Sequence, residues 1–277
     1  MVRSVPSLET ESLLARSRKK RPATELVCDY VYRPVANVVV HGLLPLRVPP
    51  PAVVLASTAT GIVAAIGIAR GDLIAAAIVL QLKTVLDNAD GQLARASGRV
   101  SALGRYLDSL SDLLVDAAVF AAVGSWTGQP WLALGGFLAL TYVLSLDYNL
   151  ERLYRDEHGT GFDPMPPASG AGGIFRMMYG VVYWPQDLGA ERFVAWRLAG
   201  ADESKRLAYH DRGTLVVLSN LGLSTQLAVF GVFLILGRPD LYCWLVIGLA
   251  AATVPLLLRR ELRAHRASNR SGGTRSP

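Results

Sequence analysis

Apolar residues fall into six stretches, about 51–69, 73–94, 101–124, 130–149, 213–237 and 240–258, separated by short turns and one long connection. A membrane span needs about 20 mostly apolar residues, so the pattern predicts an all-α integral membrane protein with six transmembrane helices. A shorter half-apolar stretch, 30–46, sets Arg33 and His41 among aliphatic side chains and runs into Arg47 and Pro49-Pro50-Pro51. It predicts an N-terminal interfacial amphipathic helix stopped by the prolines, although a helix packed on a soluble core shows the same alternation. Residues 30–260 then make up one membrane domain. Residues 1–29 are expected to be a flexible cytoplasmic segment, and the basic residues 261–277 a disordered tail. In the connection 151–212, Gly and Pro crowd 159–173, which predicts a loop. Residues 174–184 and 193–198 mix aromatics with arginines, as in segments lying on the interface or forming a lid.

Composition agrees with a membrane class. Of 277 residues, 51% are hydrophobic and only 18% charged, too apolar a balance for an ordinary soluble domain. The net charge of +6 comes from flanks and loops, with no aromatic-interleaved basic patch, so nucleic acid is excluded as a partner. Cys28 and Cys243 imply neither a disulfide nor a thiolate metal site. The first 29 residues contain a basic cluster, Arg16 to Arg21, but no apolar core of a cleavable signal peptide.

Charge placement sets the orientation. Eight Lys and Arg lie at or before Arg47, three in the turn after the second stretch (Arg95, Arg99, Arg105), eight in 151–212 and six from Arg259 onward. The opposite turns hold only Arg70 and Arg238, beside Trp126, Trp131 and Trp244. The positive-inside rule and the aromatic belt then put both termini on the cytoplasmic side of a cell membrane, with the turn at 95–105 facing the cytoplasm.

That turn carries the chemistry. Residues 87–112 read Asp87-x2-Asp90-Gly91-x2-Ala94-Arg95-x8-Gly104-x3-Asp108-x3-Asp112. Spacings of three and four put Asp87, Asp90, Gly91, Ala94 and Arg95 on one helical stripe and Gly104, Asp108 and Asp112 on another, which Asp116 extends. The polar turn Ser97-Gly98-Arg99 folds the two stripes face to face. Carboxylates are costly at bilayer depth and mark function by default, and four that converge repel unless a cation sits among them. All-oxygen donors without His or Cys select a hard divalent ion, Mg²⁺ or Mn²⁺, and four carboxylates suffice for two. Gly91 and Ala94 clear space beside the helix for a planar ligand, and Arg95 offers a fork for phosphate. Gly104 fits either that clearance or close helix packing.

This pattern resembles the signature of the CDP-alcohol phosphotransferases, membrane enzymes of phospholipid synthesis, at all eight positions. The likeness in layout covers roughly residues 30–260. The resemblance implies one metal ion at Asp87, Asp90 and Asp108 and a second at Asp87, Asp108 and Asp112. It implies that Asp112 is also the general base, that Gly91, Ala94 and Arg95 hold the CDP moiety, and that Ser101 lies near its phosphates. The acceptor hydroxyl would attack phosphorus and CMP would leave, with CDP-diacylglycerol as the first choice of donor. A soluble CDP-alcohol such as CDP-inositol, CDP-choline or CDP-ethanolamine is the alternative, and a homodimer is implied. The chain departs from the family at Pro50-Pro51-Ala52-Val53-Val54, where many members carry Pro-Asn-x-x-Thr.

Other residues are open to two readings. Lys83, one turn before Asp87, can bind an acceptor phosphate or neutralise the acidic cluster; with Arg99 and Arg105 it favours a phosphate-bearing acceptor. Asp147 and Asn149 can border an acceptor pocket or end a helix. Asn220 and Ser224 read as interhelical hydrogen-bond partners, and Arg152 and Arg155 as anion or lipid ligands. A membrane cation transporter is the reading from another class, against which Arg95 would oppose a cation.

Overall fold

The computed structural model describes residues 21–160 and 184–272, with Gly173, Met177 and Gly180 between them. The described residues are helical, with no strand among them. A π-helical turn, Cys28–Tyr32, leads into α1 (Arg33–Leu43). Then follow α2 (Pro50–Arg70), α3 (Leu73–Ala96), α4 (Ala102–Thr127), α5 (Pro130–Glu157), α6 (Trp184–Arg197), α7 (Glu203–Tyr209), α8 (Arg212–Ser219), α9 (Leu223–Ile235) and α10 (Pro239–Gly272). Prolines open α2 and α5, where the missing N–H is an orphan anyway. Gly71 at φ 86° and Gly128 at φ 68° close α2 and α4 in the left-handed conformation that a side chain would resist.

Four helical runs are long and apolar enough to cross a membrane: Pro50–Arg70, Pro130–Glu157, Glu203–Ile235 and Pro239–Arg266. Of the six expected spans, those at 73–94 and 101–124 correspond to α3 and α4, which are 24 and 26 residues long but carry the acidic residues of the motif. The stretch expected as one helix over 213–237 is broken at Asn220–Gly222. There the Asn220 amide donates to Thr24 O (2.9 Å) and accepts from Leu26 N (2.9 Å), while Glu25 fills the space that a Gly222 Cβ would take.

Two expectations at the ends are corrected. Residues 21–29, expected to be flexible, are packed, with Ala23, Glu25 and Cys28 buried. The expected tail from residue 261 is helical to Gly272, because Arg197 pairs with Glu261 (2.6 Å) and Ala264 packs with Val194, Leu198 and Tyr209. Residues 1–20 and 273–277 lie outside the described residues, as does nearly all of the expected loop 159–173 and of the segment 174–184. In 193–198 the side chains divide, Phe193 and Trp196 outward and Val194 and Leu198 buried.

The core runs through α2, α3, α4, α5, α9 and α10. Ala64, Ile68, Ala76, Leu80, Val115, Val119, Leu140 and Val246 fill it. Phe120 stacks parallel to Phe230 at 6.4 Å between centroids, and Phe230 lies 4.6 Å from Tyr242. Small residues let α2 approach α4: a Cβ at Gly61 would lie 2.5 Å from Val115 Cγ1. Gly61→Ala should therefore destabilise the fold by about 1–3 kcal/mol, since a β-branched neighbour has little room to turn. A lowered midpoint of thermal unfolding in detergent is the readout, and adding Val115→Ala should recover most of the loss.

α1 lies across α3. Ala36 and Val40 pack with Ala89, Leu93 and Ala96, and Asn37 bonds to Gln92. The other face of α1 and of the turn before it is apolar and exposed at Val31, Val35 and Val38.

Candidate active site

The site grows from the α3–α4 hairpin. α3 ends where Gly98, at φ 67°, turns the chain, and Arg99 N donates back to Ala94 O (2.9 Å). α4 begins at Ser101, whose side chain accepts from Gly104 N at 3.1 Å. The turn is short, and acidic side chains of the two helices come together beyond it.

Asp87, Asp90 and Asp108 each place a carboxylate oxygen within 4.8 Å of the others. Asp90 is only 5% exposed, and its Oδ2 has no hydrogen-bond partner. A buried carboxylate with an oxygen that has no donor, grouped with two more carboxylates, is electrostatically incomplete without a cation. Three converging hard oxygen donors fit a divalent ion such as Mg²⁺ or Mn²⁺.

Asp112 is held differently. The Lys83 ammonium, 1% exposed, donates to Asp87 Oδ1 at 2.9 Å and to Asp112 Oδ1, so that it bridges the two stripes. Of the two roles open to Lys83 in the sequence, neutralising the acidic cluster is the one its contacts display. Asp116, one turn beyond Asp112, is buried on the same helix.

The remaining motif residues lie beside this cluster. The Arg95 guanidinium folds over Gly91, with Nη1 3.2 Å from where a Gly91 Cβ would stand, so any larger residue would displace it. Ala94 is half-buried at the same end of α3. Ser101, expected near the donor phosphates, is exposed and engaged as the helix cap of α4. A Cβ at Gly104 would meet the Ser101 hydroxyl at 3.2 Å, so this glycine accommodates the cap rather than a neighbouring helix. Arg99 donates to Arg47 O at 3.4 Å, away from the carboxylates.

Residues left open in the sequence resolve as packing partners. Asp147 accepts from Ser219 Oγ (3.2 Å), Asn149 donates to Asp187 (3.0 Å), Arg152 pairs with Glu191, and Arg155 pairs with Glu151 (2.8 Å). Ser224 accepts from Asn88 Nδ2 (3.2 Å), which ties α9 to the turn of α3 that bears Asp87. Burial pushes the Cys28 thiol up to about 11, which makes it a packing group rather than a nucleophile.

Sequence reasoning missed the ionic network around Arg21, which pairs with Glu25 (2.6 Å) and lies 3.8 Å from Glu151. Arg21 and Glu25 are one helical turn apart, but Glu151 lies more than 100 residues further along the chain, so no spacing rule links it to them.

Comparison with known proteins bears on this geometry. The sequence model of the CDP-alcohol phosphatidyltransferase family matches residues 47–196, just over half of the chain and all of the hairpin. The bifunctional IPC transferase and DIPP synthase of Aquifex aeolicus is 38% identical over 80 residues, 27% of this chain and 18% of that protein. The phosphatidylinositol phosphate synthase of Mycobacteroides abscessus is 31% identical over 107 residues, 38% of this chain and 49% of its own length. The archaetidylinositol phosphate synthase of Pyrococcus horikoshii is 42% identical over 65 residues, 24% and 30% respectively. The chain thus spans at most about half the length of these relatives. No solved structure matches it.

Proposed function

This chain belongs to the CDP-alcohol phosphatidyltransferase family, and from that premise we propose that it transfers a phosphatidyl group from CDP-diacylglycerol to a hydroxyl acceptor, releasing CMP. The observation that carries the proposal is the convergence of Asp87, Asp90 and Asp108 beside an arginine folded over a glycine. A divalent ion held by those three carboxylates would neutralise pyrophosphate charge and stabilise the departing CMP. Gly91 and Ala94 leave the flank of α3 open for the cytidine ring, and Arg95 offers its planar fork to the phosphates. Ser101, at the start of α4, would lie near those phosphates as the family resemblance implies. Asp112, held by the Lys83 ammonium, would accept the proton of the attacking hydroxyl.

The acceptor we propose is a phosphate-bearing polyol of the inositol phosphate class. The Mycobacteroides and Pyrococcus relatives, a phosphatidylinositol phosphate synthase and an archaetidylinositol phosphate synthase, support this, as does the cationic Arg105 at the start of α4. α3 and α4 complete six spans. Their length, roughly 36 and 39 Å at about 1.5 Å rise per residue, and their packing along α2 support this reading. α1 lies in the interface with Val31, Val35 and Val38 towards lipid. Both termini and the site face the cytoplasm by the placement of Lys and Arg, and the working unit is a homodimer.

The test is CMP release by the purified protein with Mg²⁺ and CDP-diacylglycerol, offering inositol 1-phosphate, glycerol 3-phosphate, serine and inositol in turn. Turnover with inositol 1-phosphate is expected. Turnover only with CDP-inositol, CDP-choline or CDP-ethanolamine as donor would overturn the choice of donor. Metal flux across vesicles without any CMP would overturn the enzyme reading in favour of a cation transporter.

A further inference from the structure

The four motif aspartates are not equivalent in this fold. Asp87, Asp90 and Asp108 bring oxygens together and Asp90 Oδ2 accepts no hydrogen bond, whereas Asp87 and Asp112 are already bridged by the Lys83 ammonium. Those two are also carboxylates that the family pattern would share with a second divalent ion. The question is whether an ion and an ammonium can both stand there.

A Mg²⁺ or Mn²⁺ ion needs its carboxylate oxygens at about 2.0–2.2 Å in near-octahedral array. The ammonium already holds one oxygen of each of the two carboxylates, with Nζ 2.9 Å from Asp87 Oδ1. An ion inserted between the same oxygens would sit against a positive charge with no water layer to screen it, a contact that favours one cation over both. Asp116, one turn beyond Asp112, is a further buried carboxylate in electrostatic reach of Lys83, so the ammonium is kept on this acidic face rather than drawn out to solvent. The Lys83 side chain is 2% exposed, it leaves α3 between Leu80 and Asp87, and Ser57 caps its carbonyl from α2. A buried ammonium stripped of its partners is far costlier than one kept paired.

We infer that the site takes one divalent ion rather than two, bound by Asp87, Asp90 and Asp108, and that Lys83 permanently fills the place of the second. This rests on the reading of those three aspartates as a metal site. Lys83 acts here as a positioning residue: it supplies one fixed positive charge between the two helices and holds Asp112 off the metal, with its second oxygen available for a proton.

The test is a metal count on the full chain, purified in detergent and stripped with chelator, using Mn²⁺ alone as probe. Equilibrium binding should saturate at one Mn²⁺ per chain, with the six-line electron paramagnetic resonance spectrum of an isolated ion. Lys83→Met, which keeps the length of the stem, should bind a second Mn²⁺ and show the broadened spectrum of a spin-coupled pair. Two Mn²⁺ in the wild-type chain would overturn the inference and leave the proposed function standing, whereas none would overturn both. A folded Lys83→Met variant still limited to one ion would overturn Lys83 as the occupant. Should that variant fail to fold, the wild-type count decides by itself.

Discussion

Asp112→Asn is expected to cut CMP release by about 10²- to 10⁴-fold, the range that a positioned general base contributes, while leaving Mg²⁺-dependent binding of the CDP-linked donor near the wild-type level. The expectation follows from where Asp112 sits. It lies outside the three carboxylates that converge, and it is held by Lys83. The amide of asparagine still accepts a hydrogen bond from the ammonium, so the bridge to Asp87 keeps its geometry. Only the ability to take a proton is lost. Donor binding by titration calorimetry and single-turnover CMP release separate the two effects. Full turnover in this variant would remove Asp112 as the base, and loss of donor binding would place it among the metal ligands.

Asp90→Asn should have an effect of similar size by a different route. Asp90 is the most buried of the converging carboxylates and has an oxygen without a partner. Replacing it by a neutral amide removes a ligand, so transfer should fall by about a hundredfold or more. Stability should shift in the opposite sense to activity. Without divalent ions the variant relieves like-charge repulsion and should unfold at the same or a higher temperature than wild type. With Mg²⁺ the wild type should gain stability in proportion to ligand binding and the variant little or none. A variant that Mg²⁺ stabilises as much as wild type would exclude Asp90 as a ligand.

Much of this arrangement was legible before any coordinates. The three- and four-residue spacings put Asp87, Asp90 and Arg95 on one stripe and Asp108 and Asp112 on another, and Ser97-Gly98-Arg99 required a turn between them. Helical periodicity is a local property, so such stripes can be read from the chain alone. The ends were read less well. Residues 21–29 follow a basic cluster and contain no long apolar run, which suggests flexibility, yet Glu25 and Asn220 anchor them to a helix break nearly 200 residues away. The tail beyond 260 is basic, yet Arg197 and Tyr209 give Glu261 and Ala264 something to pack against. Composition reports what a segment would do alone and is silent on its neighbours.

By itself, the sequence determined the all-helical class, the apolar runs, the motif that resembles the family, and which aspartates share a helical face. All of these depend on residue type and on spacing within a single helix. The tertiary structure decided how the charges are shared out across helices. Lys83 and Asp112 are 29 residues apart, and whether that lysine reaches lipid, a substrate phosphate or a carboxylate depends on how closely α3 and α4 approach. α2 packs along both helices, closely against α4 at Gly61 and Val115, and so sets that approach. Once the helices are that close and the lysine is sealed from water, the nearest carboxylates are the only partners that can balance its charge.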